Sequence, residues 1–487
     1  MATIQVEHLS FSYPSSFDPI FTDVSLRLDT GWKLGFVGRN GRGKTTFLKL
    51  LLGEYEYSGS IASPAPFVYF PCPAAEPGRP TAEVLRGIAP AAADWQLERE
   101  LSLLGIRPDA LERPFSTLSS GERTKALLAC LFLQEGAFPL IDEPTNHLDA
   151  RARALVSAYL QKKEGFILVS HDRRFLDGCV DHILAINRSD IELQSGNYSS
   201  WAANFEQRQA AEQAQDARLR RDIKRLEASA RRTSVWSDRV EASKKGAADK
   251  GYVGHKAAKM MKRAKSIEAR QHRAIEEKSA LLKNAETAET LRIAPLLHYA
   301  DVLADFREVT VAYDGRTVCG PLSFQVRRGE RVALDGGNGS GKSSLLRLLC
   351  GGAAPHSGSV VTAPGLVVSY VPQEAGALAG SLADYARAEG VDESLLKAIL
   401  HKMGFERVQF EKGMEGFSSG QKKKVLLARS LCQRAHLYVW DEPLNFIDLY
   451  TRLQIEQLIG AGSPAMLFVE HDAAFRDAVA TGVVRVK

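Results

Sequence analysis

The stretch VGRNGRGKTTFLKLL (37–51) decides the fold, and it returns later in the chain as DGGNGSGKSSLLRLL (335–349). Both contain the pattern G-x-x-x-x-G-K-[ST], which is typical of a phosphate-binding loop between a strand and a helix. Glycines let the backbone approach a phosphate closely, and the N–H groups at the helix N-terminus face it. The sequence therefore predicts two nucleotide-binding loops.

These loops supply the first candidate ligands. Lys44 and Lys342 are predicted to neutralise the β- and γ-phosphates, and the hydroxyl groups of Thr45 and Ser343 to hold Mg²⁺. The other predicted nucleotide contacts in these parts of the chain are Tyr13, Gly38, Asn40, Gly41, Gly43, Thr46, Tyr313, Gly336, Asn338, Gly339, Gly341 and Ser344.

The repeat extends far beyond the loops. FSTLSSGERTKALLA (115–129) returns as MEGFSSGQKKKVLLA (414–428), FPLIDEPTNHLD as LYVWDEPLNFID, and ILVSHDRRF as LFVEHDAAF. Lys44 and Ser119 are 75 positions apart, and Lys342 and Ser418 are 76 apart. Duplication at this period indicates two copies of one domain. Since short apolar strands alternate with helical segments in each copy, we expect two α/β domains.

An acidic pair follows an apolar run in each copy. Asp142 and Asp441 are predicted to end buried strands, where a carboxylate can hold Mg²⁺ through water, together with Gln373 in the second copy. The adjacent Glu143 and Glu442 are predicted to polarise the attacking water. A histidine follows the next apolar strand and is expected to contact the γ-phosphate; these two residues are His171 and His471.

A second anion-binding surface is predicted at the segments LSSGE (118–122) and FSSGQ (417–421), where Ser hydroxyls and a Gly backbone begin a helix. One domain cannot wrap a single phosphate chain with both this surface and its own phosphate-binding loop. Two domains facing head to tail can do so. The predicted contacts are Ser119, Ser120, Gly121, Glu122, Ser418, Ser419, Gly420 and Gln421.

The composition changes between the copies. Residues 198–284 are rich in Ala, Gln, Glu, Lys and Arg, which favours helix, and Gly and Ser cluster at 233–254. We predict a helical hairpin whose tip lies near 233–254, and the domains 1–197, 198–300 and 301–487. Two helices of about 34 residues would each be about 50 Å long.

Positive charge is concentrated in this hairpin. Residues 218–265 contain 16 Lys and Arg against 5 Asp and Glu, a balance of +11, whereas the whole chain carries +5 and its remainder therefore −6. Such a local basic stripe predicts a polyanionic partner. The alternative is a solvated, salt-bridged spacer.

Composition excludes several other classes. Hydrophobic residues make up 45% and charged residues 25%, as in ordinary soluble proteins. No apolar run approaches the roughly 18 residues of a membrane span, and the first residues alternate like a strand rather than a secretion signal. The six cysteines are scattered, so we expect a cytoplasmic protein without disulfides or a metal cluster.

Both copies resemble the ATP-binding-cassette superfamily in these motifs. DEPTNHLD, SGNYSSWAANFEQ and the basic linker resemble its ABC-F class, and DKGYVGHKAAKMMKRAKSIEAR resembles the Lsa-type antibiotic-resistance group. The resemblance implies a monomeric, cytoplasmic ATPase with two composite ATP and Mg²⁺ sites, no membrane or DNA partner, and a linker that enters the ribosomal tRNA exit site. It implies contact with large-subunit rRNA and exit-site tRNA, and protection of translation from antibiotics of the peptidyl-transferase centre.

The expected ribosome contacts combine cations that neutralise rRNA phosphates with aromatic residues at the tip. Either aromatic residue would stack on bases or staple the two helices together. The residues are Arg220, Arg221, Lys224, Trp236, Arg239, Lys244, Lys245, Tyr252, Lys259, Lys262 and Arg263.

The chain departs from the family pattern at three places. Both signatures read SSG instead of SGG. Cys72 stands where the second copy has Gln373, and because a thiol is a poor Mg²⁺ ligand the first copy's site is predicted to be weaker, unless water replaces the amide. Many ABC-F proteins carry an arm that is inserted between the segment containing Cys72 and the signature segment of the first domain. Here Cys72 and Ser119 are only 47 positions apart, which leaves no room for an arm.

Three other functions remain open on sequence alone. A housekeeping ABC-F translation factor would share all of the ATP chemistry without conferring resistance. The energising subunit of a membrane exporter would need a separate membrane partner, and the basic hairpin fits that role poorly. A DNA-clamping ATPase normally needs a far longer coiled coil.

Overall fold

A computed structural model describes residues 2–14, 19–73, 76–146, 148–186, 191–208, 293–313, 315–376, 378–405 and 407–486, with short helical pieces between 210 and 228. The chain divides into two compact units. Met1–Ser199 and Thr290–Lys487 form one unit, which contains both copies, and Ser200–Glu289 form the other. The described residues of the second unit are helical.

The first copy alternates strands and helices. Its strands are β1 (Thr3–Phe11), β2 (Phe21–Asp29), β3 (Lys33–Gly38), β4 (Ser58–Ala62), β5 (Phe67–Phe70), β6 (Phe138–Asp142), β7 (Phe166–Val169), β8 (His182–Ile186) and β9 (Ile191–Ser195). Its helices are α1 (Lys44–Leu51), α2 (Thr81–Ile88), α3 (Asp94–Leu103), α4 (Asp109–Glu112), α5 (Ser120–Leu131), α6 (Ala150–Gln161) and α7 (Arg173–Cys179).

The second copy has the same order of elements, except that its described residues contain no α-helical counterpart of α4 and no counterpart of β9. Its strands are β10 (Val302–Tyr313), β11 (Arg316–Arg327), β12 (Arg331–Asp335), β13 (His356–Thr362), β14 (Val368–Val371), β15 (Leu437–Asp441), β16 (Met466–Val469) and β17 (Gly482–Arg485). Its helices are α8 (Lys342–Leu349), α9 (Leu382–Ala388), α10 (Glu393–Lys402), α11 (Ser419–Cys432), α12 (Leu449–Gly462) and α13 (Ala473–Val479).

Each copy combines a larger sheet, parallel except for the antiparallel edge strand β9 in the first copy, with a small antiparallel one. The larger sheets have the orders β5-β6-β7-β3-β8-β9 and β14-β15-β16-β12-β17, and the smaller ones β2-β1-β4 and β11-β10-β13. In the larger sheets β3, β6 and β7 run parallel, as do β12, β15 and β16. The loops after these strands therefore meet at one edge of each sheet, which is where ligands bind in such folds.

The central strands are hydrophobic because helices cover both faces of a parallel sheet. In β15 the large side chains of Tyr438 and Trp440 are fully buried. Their polar atoms find partners: the Tyr438 hydroxyl donates to the Gln433 carbonyl at 2.9 Å, and Trp440 Nε1 donates to Ser430 Oγ at 3.0 Å. Burial thus leaves no unsatisfied donor on either side chain.

The predicted fold class is confirmed, since two α/β domains follow one another in the chain. The strand KLGFVG is β3, and the apolar run 126–133 begins inside α5. The predicted tip at 233–254 lies outside the described residues, so the hairpin and the domain limits stay predictions. In the part of the chain that is described, none of the helices has the length and apolar character to cross a membrane.

Gly43 is required by the geometry of the first phosphate-binding loop. It precedes α1 with a φ of 92°, and a Cβ atom there would lie 2.5 Å from Ile20 Cγ2. Gly53, beyond the other end of the same helix, also has a positive φ, of 74°, but a Cβ atom there would meet nothing within 4 Å. A side chain at Gly53 would therefore cause backbone strain alone, whereas a side chain at Gly43 would cause both backbone strain and steric crowding.

We expect Gly53→Ala to lower the free energy of unfolding by about 1–2 kcal/mol, the cost of a left-handed alanine. Gly43→Ala should cost roughly 1–3 kcal/mol more, because the new methyl group overpacks against Ile20. Midpoints of urea unfolding for the two variants measure the difference. Equal midpoints would show that the loop relaxes and that crowding at Gly43 is unimportant.

Candidate functional site

Two cavities lie between the copies. The first, of about 600 Å³ and called site 1 below, joins the phosphate-binding loop of the first copy to the Ser-Ser-Gly segment of the second. The predicted residues that line it are Tyr13, Asn40, Gly41, Gly43, Lys44, Thr45, Thr46, Asp142, Glu143, His171, Ser418, Ser419, Gly420 and Gln421. Gly38 does not line it.

Site 2, of about 640 Å³, is the reciprocal cavity. The predicted residues that line it are Ser120, Tyr313, Asn338, Gly339, Gly341, Lys342, Ser343, Ser344, Gln373, Glu442 and His471. The predicted residues that do not line it are Ser119, Gly121, Glu122, Gly336 and Asp441. The head-to-tail pairing expected from the motifs is therefore the arrangement that the structure adopts.

The two loop lysines fold back over their own loops. Lys44 Nζ donates to the carbonyls of Gly38 at 2.7 Å and Arg39 at 3.2 Å, and Lys342 Nζ donates to those of Gly336 at 2.8 Å and Gly337 at 2.7 Å. Burial lowers the pKa of both lysines. A phosphate chain entering either cavity would therefore meet a desolvated cation, which binds anions more strongly than an exposed one.

The first serine of each Ser-Ser-Gly segment is an N-cap. Ser119 Oγ accepts from the Glu122 N–H at 3.3 Å while Glu122 Oε2 accepts from the Ser119 N–H at 2.9 Å. Ser418 and Gln421 form the same capping box at the start of α11. The S-x-x-E/Q spacing was the available signal for this role. Ser419 and Gly420 line site 1 and Ser120 lines site 2, so these residues are left to face a ligand.

The residues of both copies fit Mg²⁺. Asp142 Oδ2 accepts from Thr45 Oγ1 at 2.7 Å and from the Tyr69 hydroxyl at 3.0 Å. Asp441 is 1% exposed, and neither of its carboxylate oxygens accepts a hydrogen bond from a described residue; burial raises its pKa. A buried carboxylate without partners, near hydroxyl and amide oxygens, is the hard-oxygen environment that Mg²⁺ prefers.

The two predicted water-polarising glutamates share a strained backbone but have different surroundings. Glu143 has a φ of 49° and Glu442 of 44°, and non-glycine residues in this region are concentrated at functional sites. Each N–H donates to the neighbouring strand, to Val169 at 2.9 Å or Val469 at 3.0 Å. Those bonds hold the glutamates at the sheet edge.

Only Glu442 is held by a neighbouring amide, since Asn445 Nδ2 donates to its Oε2 at 2.5 Å. Burial alone would raise the pKa of Glu442, but hydrogen bonding to His471 and Asn445 and the charge of Lys342 lower it to about 2. Burial and the adjacent Asp142 instead raise the pKa of Glu143. The Glu442 carboxylate in site 2 is therefore ionised at neutral pH and held by a neighbouring amide.

Each histidine lies beside its glutamate. His171 Nε2 lies 3.3 Å from Glu143 Oε1 and 3.0 Å from Asn40 Oδ1, and His471 Nε2 lies 3.4 Å from Glu442 Oε1. Burial, together with the charges of Lys44 and Arg452, lowers the pKa of His171 well below its usual value. A neutral imidazole at this place can orient a γ-phosphate or a water molecule by hydrogen bonding.

The predicted difference at the fifth residue of VYFPC and SYVPQ is visible in the structure. Gln373 lines site 2, whereas Cys72 does not line site 1. The Cys72 thiol donates to the Tyr69 carbonyl at 3.0 Å, and burial raises its pKa to about 11. A protonated thiol turned into its own loop cannot replace an amide oxygen as a metal ligand.

Several residues that line the two cavities were not predicted from the sequence, because they come from the other copy or from segments outside the motifs. Gly404, Phe405, Gln409, Lys424 and Phe446 enter site 1, and Asn146, Leu148, Arg153 and Asn445 line site 2. Asn146, Leu148, Asn445 and Phe446 follow the two DEP motifs closely in the sequence, and this proximity to the motif carboxylates could have indicated a role in the sites. Nothing in the local sequence marks Gly404 or Phe405.

The ribosome contacts predicted for the linker fall mainly outside the described residues. Only Arg221 and Lys224 are described; both are helical and exposed. Arg220, Trp236, Arg239, Lys244, Lys245, Tyr252, Lys259, Lys262 and Arg263 are outside the described part.

A family model described as ABC transporter matches residues 21–146 and 319–445, which is more than half of the chain. The chain belongs to the ATP-binding-cassette family. Cassettes of this family imply ATPase activity, and they bind ATP typically with Mg²⁺. The two copies described above are its two cassettes.

Three relatives cover almost the whole chain. The energy-dependent translational throttle protein EttA of Haemophilus influenzae is 29% identical over 96% of this chain and 88% of its own length. The ATP-binding protein Uup of Caulobacter vibrioides is 30% identical over 96% and 74%, and the ribosome protection protein VmlR of Bacillus subtilis is 28% identical over 95% and 83%. These relatives are ABC-F proteins and support membership of that class.

The fold is also that of solved tandem-cassette proteins. The archaeal ribosome recycling factor aABCE1, solved in complex with the ribosomal stalk protein aP1, is similar over 94% of this chain and 83% of its own, with a TM-score of 0.62 and 18% identity. At this identity the likeness concerns the fold alone.

We expect Glu143→Gln together with Glu442→Gln to leave ATP binding intact and to abolish turnover, because an amide keeps the shape of the side chain and loses the base. Separately, Glu442→Gln should lower turnover more than Glu143→Gln, because Glu442 is ionised and held by Asn445. Single-turnover rates with each variant measure this. Hydrolysis by the double variant at the parental rate, or equal rates for the single variants, would contradict the assignment.

Proposed function

We propose that the protein is a ribosome-binding ATPase with two composite sites, which protects translation from antibiotics that act at the peptidyl-transferase centre of the large subunit. The observation that carries the ATPase part is the lining of sites 1 and 2. Each combines a phosphate-binding loop from one copy with a Ser-Ser-Gly segment from the other. Nucleotide binding would therefore join the copies, and hydrolysis would release them.

The chemistry follows from the residues at each site. In site 2, Lys342 would neutralise the phosphates and Ser120 of the opposite segment would donate to them. Glu442 would accept a proton from the attacking water, with Asn445 and His471 fixing its orientation. Bound Mg²⁺, held by Ser343, Asp441 and Gln373 in site 2 and by Thr45 and Asp142 in site 1, would neutralise the charge that develops on the phosphate oxygens.

Two observations support the proposal of ribosome binding: the positive charge of the linker and the names of two similar proteins. The balance of +11 over residues 218–265 suits rRNA phosphates, and Arg221 and Lys224 are exposed on helical residues. Two relatives, EttA and VmlR, are named for acting on translation or protecting the ribosome. We therefore propose that the linker enters the tRNA exit site and contacts large-subunit rRNA and exit-site tRNA.

A housekeeping translation factor is the second candidate, because EttA and VmlR match this chain about equally well. The two functions differ in what the linker tip does near the peptidyl-transferase centre. Antibiotic protection is proposed on the likeness of the basic stretch around 249–270 to the Lsa-type group.

Ribosome affinity should fall steeply as salt rises, because neutralising phosphates releases counterions. Reversing the charge of Arg220, Arg221, Lys224, Lys259, Lys262 and Arg263 should weaken co-sedimentation with ribosomes and flatten the salt dependence. ATPase activity without ribosomes should not change, since all six residues lie in the linker sequence, outside the nucleotide-binding motifs. A parental affinity that does not depend on salt would point to a protein partner instead.

Replacing residues 240–250 by a short Gly-Ser turn should preserve folding, ATPase activity and most ribosome affinity, because exposed turns contribute little to stability. Protection should be lost, as measured by the growth of a susceptible host on a lincosamide, a streptogramin A and a pleuromutilin. The same growth measurement on Trp236→Ala and Tyr252→Ala then tests whether either aromatic side chain takes part in protection directly, by stacking on bases, or only braces the turn. Full protection after the replacement would leave the tip as a spacer and favour the housekeeping function.

A further inference from the structure

Helix α11 lines site 1 and contacts the segment that carries Gln373, a residue of site 2. Its N-terminal residues Ser419 and Gly420 line site 1. One turn later, Lys423 points into the body of its own copy and is 2% exposed. Lys423 Nζ donates to the carbonyls of Pro372 at 2.8 Å and Gln373 at 3.0 Å.

The same ammonium group also reaches the strand that carries the metal-binding carboxylate. Lys423 Nζ lies 3.2 Å from the Asp441 carbonyl, which accepts its third hydrogen bond. A buried ammonium group has three donors, and all three are satisfied by backbone carbonyls here. Two of those carbonyls belong to Gln373 and Asp441, whose side chains are the proposed ligands of site 2. We call this arrangement the Lys423 contact.

Further bonds join α11 to the strand that leads to Gln373. The Arg429 guanidinium donates to the Tyr370 carbonyl, and Ser430 Oγ lies 2.8 Å from Ser369 Oγ. Four of the five residues in the segment 369–373 thus form hydrogen bonds with side chains of α11. Because each of these bonds is buried or half-buried, breaking one would leave desolvated polar atoms without partners. The segment cannot move independently of α11.

Among the described residues of the first copy, these bonds have no counterparts, although the fold is the same. Thr124 stands in place of Lys423, Cys130 in place of Arg429, and Leu131 in place of Ser430. Leu131 has no polar side-chain atom, and the Cys130 thiol is directed to the Leu85 carbonyl at 3.7 Å. Cys72, the counterpart of Gln373, bonds within its own loop.

We propose that Lys423 is a positioning residue that couples nucleotide binding in site 1 to the geometry of the Mg²⁺ ligands in site 2. The inference rests on the proposed ATP sites. A nucleotide that engages Ser419 and Gly420 would fix the position of α11, and the Lys423 contact would transmit that position to Gln373 and Asp441. In the part of the first copy that the structure describes, α5 makes no such contact, so we expect α11 alone to couple the two sites in this way, and the coupling to be reciprocal for binding.

Hydrogen exchange tests the coupling without relying on activity. The protein carrying Glu143→Gln and Glu442→Gln is exchanged with and without ATP, and peptides covering 366–376 and 419–432 are compared. With Lys423 present, ATP should protect both peptides. With Lys423→Met added, ATP should still protect 419–432 as in the parent but should protect 366–376 less, because only the direct contact of ATP in site 2 with Gln373 would remain. Lys422→Met, on the neighbouring residue of the same helix, should behave like the parent.

Turnover gives the second measurement. With Glu143→Gln, which leaves site 2, Lys423→Met should lower the rate about tenfold or more and raise the Mg²⁺ concentration needed for half-maximal rate, as expected when a residue that orients metal ligands is lost. With Glu442→Gln, which leaves site 1, the same change should alter the rate less than about twofold. An equal loss at both sites would indicate general damage and overturn the proposal.

Transplanting the contact provides a gain-of-function test. With Glu442→Gln, Cys72→Gln alone should raise site 1 turnover less than Cys72→Gln combined with Thr124→Lys. No added gain from Thr124→Lys, or unchanged exchange in 366–376 for Lys423→Met, overturns the inference. Failure of the parental protein to bind ATP would instead overturn the proposed function, so the two failures are distinguishable.

Discussion

The hydrogen bond from the Asn40 side chain to the Phe446 carbonyl, at 2.8 Å, joins the phosphate-binding loop of one copy to the loop after the acidic pair of the other. Gly420 packs against the same carbonyl, and a Cβ atom there would lie 2.6 Å from it. This close approach places the start of α11 opposite the first loop and completes site 1. Because each cavity needs both copies, their contact governs everything that the proposed ATPase does.

The two copies meet through unequal contacts, although they share one fold. Arg173 forms an ion pair with Glu456, in which its Nη1 lies 3.2 Å from Oε2, while the corresponding residues on the other side are Ala473 and Ser157. The ion pair is largely buried, so removing one partner would leave an uncompensated charge. Together with the difference between Cys72 and Gln373, these contacts make the protein a duplicated fold with two distinct sites.

The net charge of the linker differs from that of the rest of the chain, in keeping with their different proposed roles. The excess of +11 lies in residues 218–265, and the remainder of the chain carries −6. A polyanion would therefore be drawn to the linker and repelled on average by the copies that bind ATP. With this distribution, the proposed ribosome binding would depend on salt, whereas the proposed ATP sites, which contain buried groups such as Lys44 and Asp441, would be screened much less.

The sequence by itself determined the duplicated α/β fold and most of the lining of both cavities. Residue type and spacing were enough, because the loop glycines, the lysines and the acids at strand ends are required locally by phosphate and metal chemistry. It also indicated the difference at Cys72. Only the tertiary structure decided that Phe405 enters site 1, that Asn445 holds Glu442, and that Lys423 reaches Gln373. These contacts join residues that are distant in sequence or face the interior, and local patterns do not encode where a folded backbone brings a side chain.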